Sequence, residues 1–415
     1  MARKMKDSGI EWIGEIPEGW EVVPIKRLCT MQAGKNLTSE QIAPEGTYPV
    51  YGGNGIRGFF SDYNCDGQFL TVGRQGALCG NVHKINGKVW ATEHAVITTP
   101  SSYTILDFLY YLLIGMDLNQ YVSSTAAQPG LAVGTLLNLK TCYPCSTLEQ
   151  TQISNYLNTK CSEIDVMLTK TRSSIEEYKK LKQAVITQAV TKGERGKREM
   201  KDSGVDYIGQ IPAKWVLGKL RNVGDTQNGI SKSSEFFGKG FPFVSYSDVY
   251  KNYSLPFAVS GLVESTPEEQ ERYSVKEGDI FFTRTSETIE EVGFSCVCEK
   301  DIPNATFAGF LIRVRPFSDR LYTPYAKYYF RSTHLRFYLV KEMNLVTRAS
   351  LGQSLLKSMP VLLPPLEEQK EIANYLDAKC AEIDRLIAKK EQLVKELESY
   401  KKGLIYEVVT GKREV

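Results

Sequence analysis

Histidine is scarce in this chain. Its three residues, His83, His94 and His334, leave little material for a histidine metal centre or a catalytic triad. No phosphate loop is present either, since Gly193 to Lys197 has the wrong spacing and is followed by Arg198. No apolar run approaches the roughly 18 uncharged residues of a membrane span, and Met1 to Ile10 is polar with no apolar core. A cytoplasmic protein is expected. Charge of one sign is lacking too: 51 basic residues face 48 acidic ones, for a net +3, so any nucleic-acid face must be local. Nine cysteines, an odd number without a leader segment, fit reduced thiols better than a disulfide framework. Cys142 and Cys145 form a lone CxxC that Cys296 and Cys298 do not complete, so no metal is expected. What is present is ordinary globular composition, 42% hydrophobic and 24% charged, over 415 residues. Two or more cores should follow.

Self-similarity organises the chain. MKDSGIEWIGEIPEGW, Met5 to Trp20, recurs 195 positions later as MKDSGVDYIGQIPAKW, Met200 to Trp215, with ten of 16 positions identical; the register still holds at Gln32/Gln227 and Gly34/Gly229. A second repeat matches Ile153–Thr191 with Ile372–Thr410 at a constant offset of 219. The difference of 24 between the offsets places about two dozen extra residues in the centre of the second half. Constant frames therefore hold variable centres.

The closing frames carry a seam with alternating steps of four and three. It runs Leu157, Cys161, Ile164, Leu168, Thr171, Ile175, Tyr178, Lys182, Val185 and Ala189, and is repeated as Leu376, Cys380, Ile383, Ile387, Lys390, Val394, Leu397, Lys401, Leu404 and Val408. With no proline and only Gly403, each copy predicts a helix of about 40 residues, roughly 60 Å long. Each would bury its stripe against the other, most simply as an antiparallel coiled coil. Lys182 and Lys401 interrupt the seam at equivalent positions. Either the seam opens to solvent there, the plainer reading, or the lysines reach partner carboxylates. Cys161 and Cys380 read as small core residues rather than a redox pair. Prolines and the acidic Glu149 and Glu367/Glu368 mark the helix starts, and Thr191–Glu199 reads as a linker. These signals divide the chain into a module over 1–147, a helix over 148–192, a linker over 193–199, a second module over 200–364 and a second helix over 365–415. The fold class is α+β, with two pseudo-symmetric α/β modules joined by the two helices.

Between the frames, Glu21 to Cys145 and Val216 to Leu363, short apolar runs alternate with Gly, Asn and Asp. Strands are predicted at Gln68–Val72, Ala95–Thr98, Asp279–Thr283 and Phe310–Val314, followed by helical stretches at Leu106–Tyr121 and Tyr325–Leu339. Arg74 and Gln75 follow one strand, as Arg284, Thr285 and Ser286 follow another. Arg and Gln can make bidentate contacts to guanine or adenine edges, and Ser and Thr suit phosphates or bases. An ordinary surface loop is the competing reading. His94 lies near the same region and reads equally well as a structural histidine. Tyr48, Tyr51, Phe59, Phe60, Phe243, Tyr246 and Tyr250 read as core or half-buried strand residues before they read as a binding face.

KDSGxxxIGxIPxxW opening each half, LEEQKEIANYLDAKCAEIDRLI over Leu366–Ile387 with its first-half equivalent, and YPVYGGNGIRGFF over Tyr48–Phe60 together resemble the specificity subunits of Type I restriction-modification enzymes. The resemblance covers essentially the whole chain. It implies that each module is a target-recognition domain reading one half of a split double-stranded DNA site, and that the helices set the gap between the halves. It also implies docking of two methyltransferase subunits, and through them restriction/translocase subunits. The helix seam, Leu157, Ile164, Leu168 and Ile175 with Leu376, Ile383, Ile387 and Leu397, is the expected frame for that docking. S-adenosylmethionine, ATP and Mg²⁺ are then expected only on the partners, and no catalytic residue here. The absence of an Asn/Asp-Pro-Pro-Tyr/Phe methyltransferase motif agrees. The alternative is a coiled-coil adaptor without DNA specificity, and a self-contained nuclease or methyltransferase is disfavoured for want of motifs.

Overall fold

A computed structural model describes residues 3–76, 79–122, 130–194, 196–286, 292–318, 320–342 and 349–415. The chain divides into two units, Met1–Arg172 with Glu391–Val415, and Ser173–Lys390. The long helices run Thr147–Lys192 and Leu366–Val409. Their interiors lack helix breakers except Gly403, and each carries acidic residues in its first turn, where the helix dipole favours them. Gly193 and Gly411, at φ +72° and +71°, end them in the left-handed conformation that glycine adopts without strain.

The first unit combines the first half of one long helix with the last turns of the other. Leu157, Cys161, Ile164 and Leu168 share a core with Leu404, Ile405, Val408 and Val409. The second unit mirrors this, with Leu376, Ile372 and Cys380 packed in one core with Ile186, Ala189 and Val190. Heptad seams bury apolar side chains in this way only when the helices run antiparallel in this register. Lys401 donates to both oxygens of Asp165 at 2.6 and 2.7 Å, and Lys182 to both oxygens of Asp384 at 2.8 and 2.7 Å. The plainer expectation of solvated lysines is thereby corrected. Their stems lie along the seam while the ammonium groups reach carboxylates on the facing helix.

Both units have the same strand order. In the first, a four-stranded antiparallel sheet runs Cys29–Ala33, Ala95–Pro100, Gln68–Gly73, Val82–Asn86; in the second, Gly224–Asn228, Leu311–Pro316, Ile280–Thr283, Ser295–Val297. A three-stranded sheet accompanies each, centred on Tyr48–Gly52 and on Phe237–Val244, with one parallel neighbour. The added residues of the second centre include helices Tyr246–Lys251 and Pro267–Arg272. They accompany a larger satellite core, built on Phe243, Val249, Phe281 and Phe307, where the satellite core of the first unit, among the described residues, buries Phe69, Ile85 and Val89. Tyr325–Leu339, expected as one helical stretch, is two helices, Thr323–Tyr329 and Thr333–Glu342. Ser332 at the break donates its hydroxyl back to the Tyr329 carbonyl, a local bond that competes with helix continuation.

The opening frames act as latches on the long helices. Trp20 is fully buried and donates its indole N–H to Glu149 at 3.0 Å, and Arg3 both pairs with Glu149 and lies 5.6 Å over the Trp20 ring. The second unit repeats the set 195 and 219 positions on. Trp215 donates to Glu368 at 3.0 Å, and Arg198 pairs with Glu368 and lies 5.3 Å over Trp215. Next to each glutamate a buried glutamine, Gln150 or Gln369, accepts from a backbone N–H at 2.8 Å and donates to two carbonyls. The repeated residues are thus the ones that tie module to helix.

Candidate nucleic-acid interface

The same backbone corner is built once in each unit. After strand Gln68–Gly73, the Arg74 N–H donates to the His94 carbonyl at 3.0 Å, while the Arg74 carbonyl accepts from Leu131 at 2.8 Å. After strand Ile280–Thr283, the Arg284 N–H donates to Phe310 at 2.9 Å, and its carbonyl accepts from Leu351 at 2.7 Å. The next residue bridges the same neighbouring segment in both: Gln75 pairs with Gly130, and Thr285 with Ser350. Arg74 therefore corresponds to Arg284, Gln75 to Thr285 and His94 to Phe310. Ser286 follows in the short strand and is described in its backbone only.

A repeated glycine sets the approach to this corner. A Cβ on Gly34 would stand 2.2 Å from the Ala91 carbonyl oxygen and 2.4 Å from that of Thr92; on Gly229 it would stand 2.2 Å from Ala308 oxygen and 2.3 Å from Phe307 oxygen. Only glycine lets these backbones meet so closely. Their N–H groups donate to Ala95 and Leu311, the residues just beyond His94 and Phe310.

Side chains distinguish the corners. In the first, the tip of the Tyr48–Phe60 hairpin lies against it: a Cβ on Gly73 would meet the Gly53 oxygen at 1.8 Å, and one on Gly53 would meet the Gln75 oxygen at 2.9 Å. Asn54 of that tip accepts from the Asn81 side chain at 2.7 Å. His94 is about one-third exposed, with Nε2 3.0 Å from the Glu93 carboxylate. In the second, the chain leaves the corresponding strand at Ser245, which caps helix Tyr246–Lys251. Tyr246 stacks on Tyr250 at 6.0 Å, and Tyr250 meets Phe294 at 5.1 Å. Phe310 is 65% exposed. One corner is polar and glycine-rich, the other aromatic. Arg74, Gln75, Arg284 and Thr285 are half-buried, and neither guanidinium forms an ion pair among the described residues.

Other titratable groups serve the fold. His334 is buried, its Nδ1–H donates to the Ser332 hydroxyl at 3.0 Å, whose own proton is on the Tyr329 carbonyl, and its value is pushed down to about 3 by burial. His83 is also lowered by burial. Cys29, Cys142 and Cys298 are raised to about 12, and Cys161 and Cys380 are raised as well, desolvation being the largest cause in each. Such thiols pack as small hydrophobes. Of the seam residues, Leu157, Ile164, Leu168, Ile175, Leu376 and Ile383 are buried, while Ile387 and Leu397 are half-buried. Phe243 is buried, and Tyr48, Tyr51, Phe59, Phe60, Tyr246 and Tyr250 are half-buried. No described helix is long and apolar enough to cross a membrane.

Sequence reasoning passed over Phe310, which it read only as a strand residue, and Asn54 at the hairpin tip. The signal for Phe310 was weak because it lies 216 positions after His94, at neither repeat offset.

Two modules of one design, each latched to the long helices and differing in the central insertion and in the side chains of one corner, define a two-module sequence reader. The family model for the Type I restriction modification DNA specificity domain matches residues 17–177 and 212–397, and the chain belongs to this family as a DNA specificity subunit, the non-catalytic part of a Type I restriction-modification complex. It is similar to the specificity subunit of Type I restriction enzyme MjaVIII of Methanocaldococcus jannaschii, at 25% identity over 96% of this chain and 93% of that one. The EcoKI specificity subunit of Escherichia coli is 23% identical over 90% and 84%. A local match to the Escherichia coli EcoprrI specificity subunit reaches 45% identity over 121 residues, spanning 28% of this chain and 30% of that subunit. In fold it resembles a chain from a structure describing complex assembly and conformational transition of the type I R-M system, with a TM-score of 0.71 at 16% identity over 96% and 99% of the two chains.

Proposed function

We propose that each unit reads one half of a split double-stranded DNA target, and that the two halves differ in sequence. The observation carrying this is the corner built twice on one backbone plan, with an arginine in both but unlike neighbours: Gln75 and His94 beside Arg74 in one unit, Thr285 and Phe310 beside Arg284 in the other, where Ser286 follows in the chain. Equivalent geometry suits the same task, and unlike hydrogen-bonding groups suit different bases. The arginines are assigned to guanine edges and Gln75 to an adenine or a phosphate.

The helix pair, with Leu157, Ile164, Leu168, Ile175, Leu376, Ile383, Ile387 and Leu397 along its seam, then fixes the spacer between half-sites and frames the docking of two methyltransferase subunits. Those partners supply S-adenosylmethionine and modify adenine, and restriction/translocase subunits supply ATP- and Mg²⁺-dependent steps. The complex works on DNA in the cytoplasm. Methylome sequencing of a host carrying this chain with its methyltransferase partner should return an asymmetric bipartite motif. A palindromic motif would overturn the reading.

A further inference from the structure

We propose that Phe310 is a specificity-determining residue, reading the C5-methyl group of a thymine in the half-site taken by the second unit. The proposal rests on the assignment of the Arg284 corner to DNA.

Exposure alone selects nothing, because Phe257, Phe317 and Phe337 are 68%, 65% and 65% exposed. Phe257 lies under the Lys300 ammonium at 4.9 Å, and the Phe317 N–H is tied to Val223. Phe310 is instead joined to the corner, since its carbonyl accepts the Arg284 N–H. Its flanks are rigid: Gly309 donates to Ile230 at 2.8 Å, and Leu311 is fully buried and donates to Ala308 at 2.9 Å. An apolar ring is therefore held in water, beside an arginine, at the place where the first unit carries His94.

Leaving such a ring exposed costs hydrophobic free energy in the free protein that a covering partner recovers. In the major groove, the apolar feature that separates one base from the others is the thymine methyl, which apolar side chains including Phe contact. Arg284 beside it suits a neighbouring guanine. His94 in the first unit offers Nδ1 instead, its Nε2 facing the Glu93 carboxylate at 3.0 Å, so the same location there reads a polar base edge. The exchange of imidazole for phenyl at one backbone position is the sharpest chemical difference between the corners.

The test uses the full chain assembled with its methyltransferase partner, as wild type, Phe310→Ala and Arg284→Ala, on duplexes carrying the motif found by methylome sequencing. Each thymine of the second unit's half-site is replaced in turn by uracil, which removes only the methyl. One such replacement should weaken wild-type binding about fourfold, the effect of one methyl-sized apolar group, and leave Phe310→Ala unaffected. Phe310→Ala should relax the methylated motif at that position alone, with the other half-site unchanged. If no uracil duplex weakens the wild type while Phe310→Ala still binds less tightly, the ring acts as a wedge between base steps or contacts the protein partner, and the proposal fails. It fails equally if Phe310→Ala preserves affinity and motif while Arg284→Ala relaxes its half-site. If Arg284→Ala also changes neither, the corner does not face DNA and the underlying reading falls with it. Unchanged circular dichroism of Phe310→Ala, expected for so exposed a side chain, separates these results from misfolding.

Discussion

Removing the latch carboxylate should cost the two units very different amounts. Glu368 has a side chain only 7% exposed, accepts the buried Trp215 indole N–H at 3.0 Å and pairs with Arg198, itself 20% exposed. Glu368→Ala strands an indole donor and a largely buried guanidinium together. Breaking a buried pair costs about 3–5 kcal/mol, and Arg198 keeps one acceptor in the Lys192 carbonyl, which puts the expected loss near the lower end, about 3 kcal/mol. Glu149 makes the equivalent contacts to Trp20 and Arg3, but at 28% and 31% side-chain exposure water replaces the lost acceptor. There the expected loss is about 1 kcal/mol. A single melting temperature is poorly defined for a two-unit chain, so the assay is native-state hydrogen exchange by mass spectrometry on peptides over 200–219 and 5–24. Glu368→Gln, which keeps the bond to Trp215 and drops the ion pair, should fall between wild type and Glu368→Ala. Equal losses in the two units, or a larger loss for Glu149→Ala, would refute the argument that burial sets the strength of the latch.

Further outcomes follow from the same geometry. Gly34→Ala should destabilise the first unit by about 1–3 kcal/mol, and Gly229→Ala the second by a similar amount, because each Cβ meets carbonyl oxygens at 2.2 Å that belong to paired backbone; native-state hydrogen exchange on peptides of the unit concerned checks this. Asp165→Lys should lose about 1 kcal/mol by facing Lys401 with a like charge, and Lys401→Asp added to it should recover part of that loss, as a double-mutant cycle would read. His334 is held neutral by burial, its value lowered to about 3 from an ordinary 6.5, so the unfolded chain binds the extra proton first as pH falls. Its contribution to stability is therefore complete above about pH 6.5 and declines between there and about pH 3, by about 1.4 kcal/mol per pH unit. His334→Leu should flatten the stability of the second unit across that window, and an unchanged slope would count against it.

Much of the architecture was legible because the chain states it twice. Exact matches at two offsets fixed the frames, and the alternation of four and three residues from Leu157 onward gave two long helices and their antiparallel pairing. What escaped was long-range. Periodicity shows that Lys182 sits on the seam, but not that Asp384 waits opposite it, because that depends on helix register. The corner proposed to read DNA was glimpsed through Arg74 and Arg284, each following a strand. Its other members are hidden for a physical reason: three segments far apart in sequence converge on one backbone carbonyl and one N–H, and insertions between them shift the offset. The aromatics illustrate the same limit, since composition cannot separate the buried Phe243 from the exposed Phe310.

The most direct measurement compares methylomes of hosts carrying the wild-type chain, Arg74→Ala or Arg284→Ala, each with the same methyltransferase partner. Arg74→Ala should relax one or more positions in one half of the motif, Arg284→Ala should do so only in the other half, and both should leave the spacer length unchanged. If either substitution altered both halves, or if neither altered any base of the motif, the assignment of one reading corner to each unit would be contradicted.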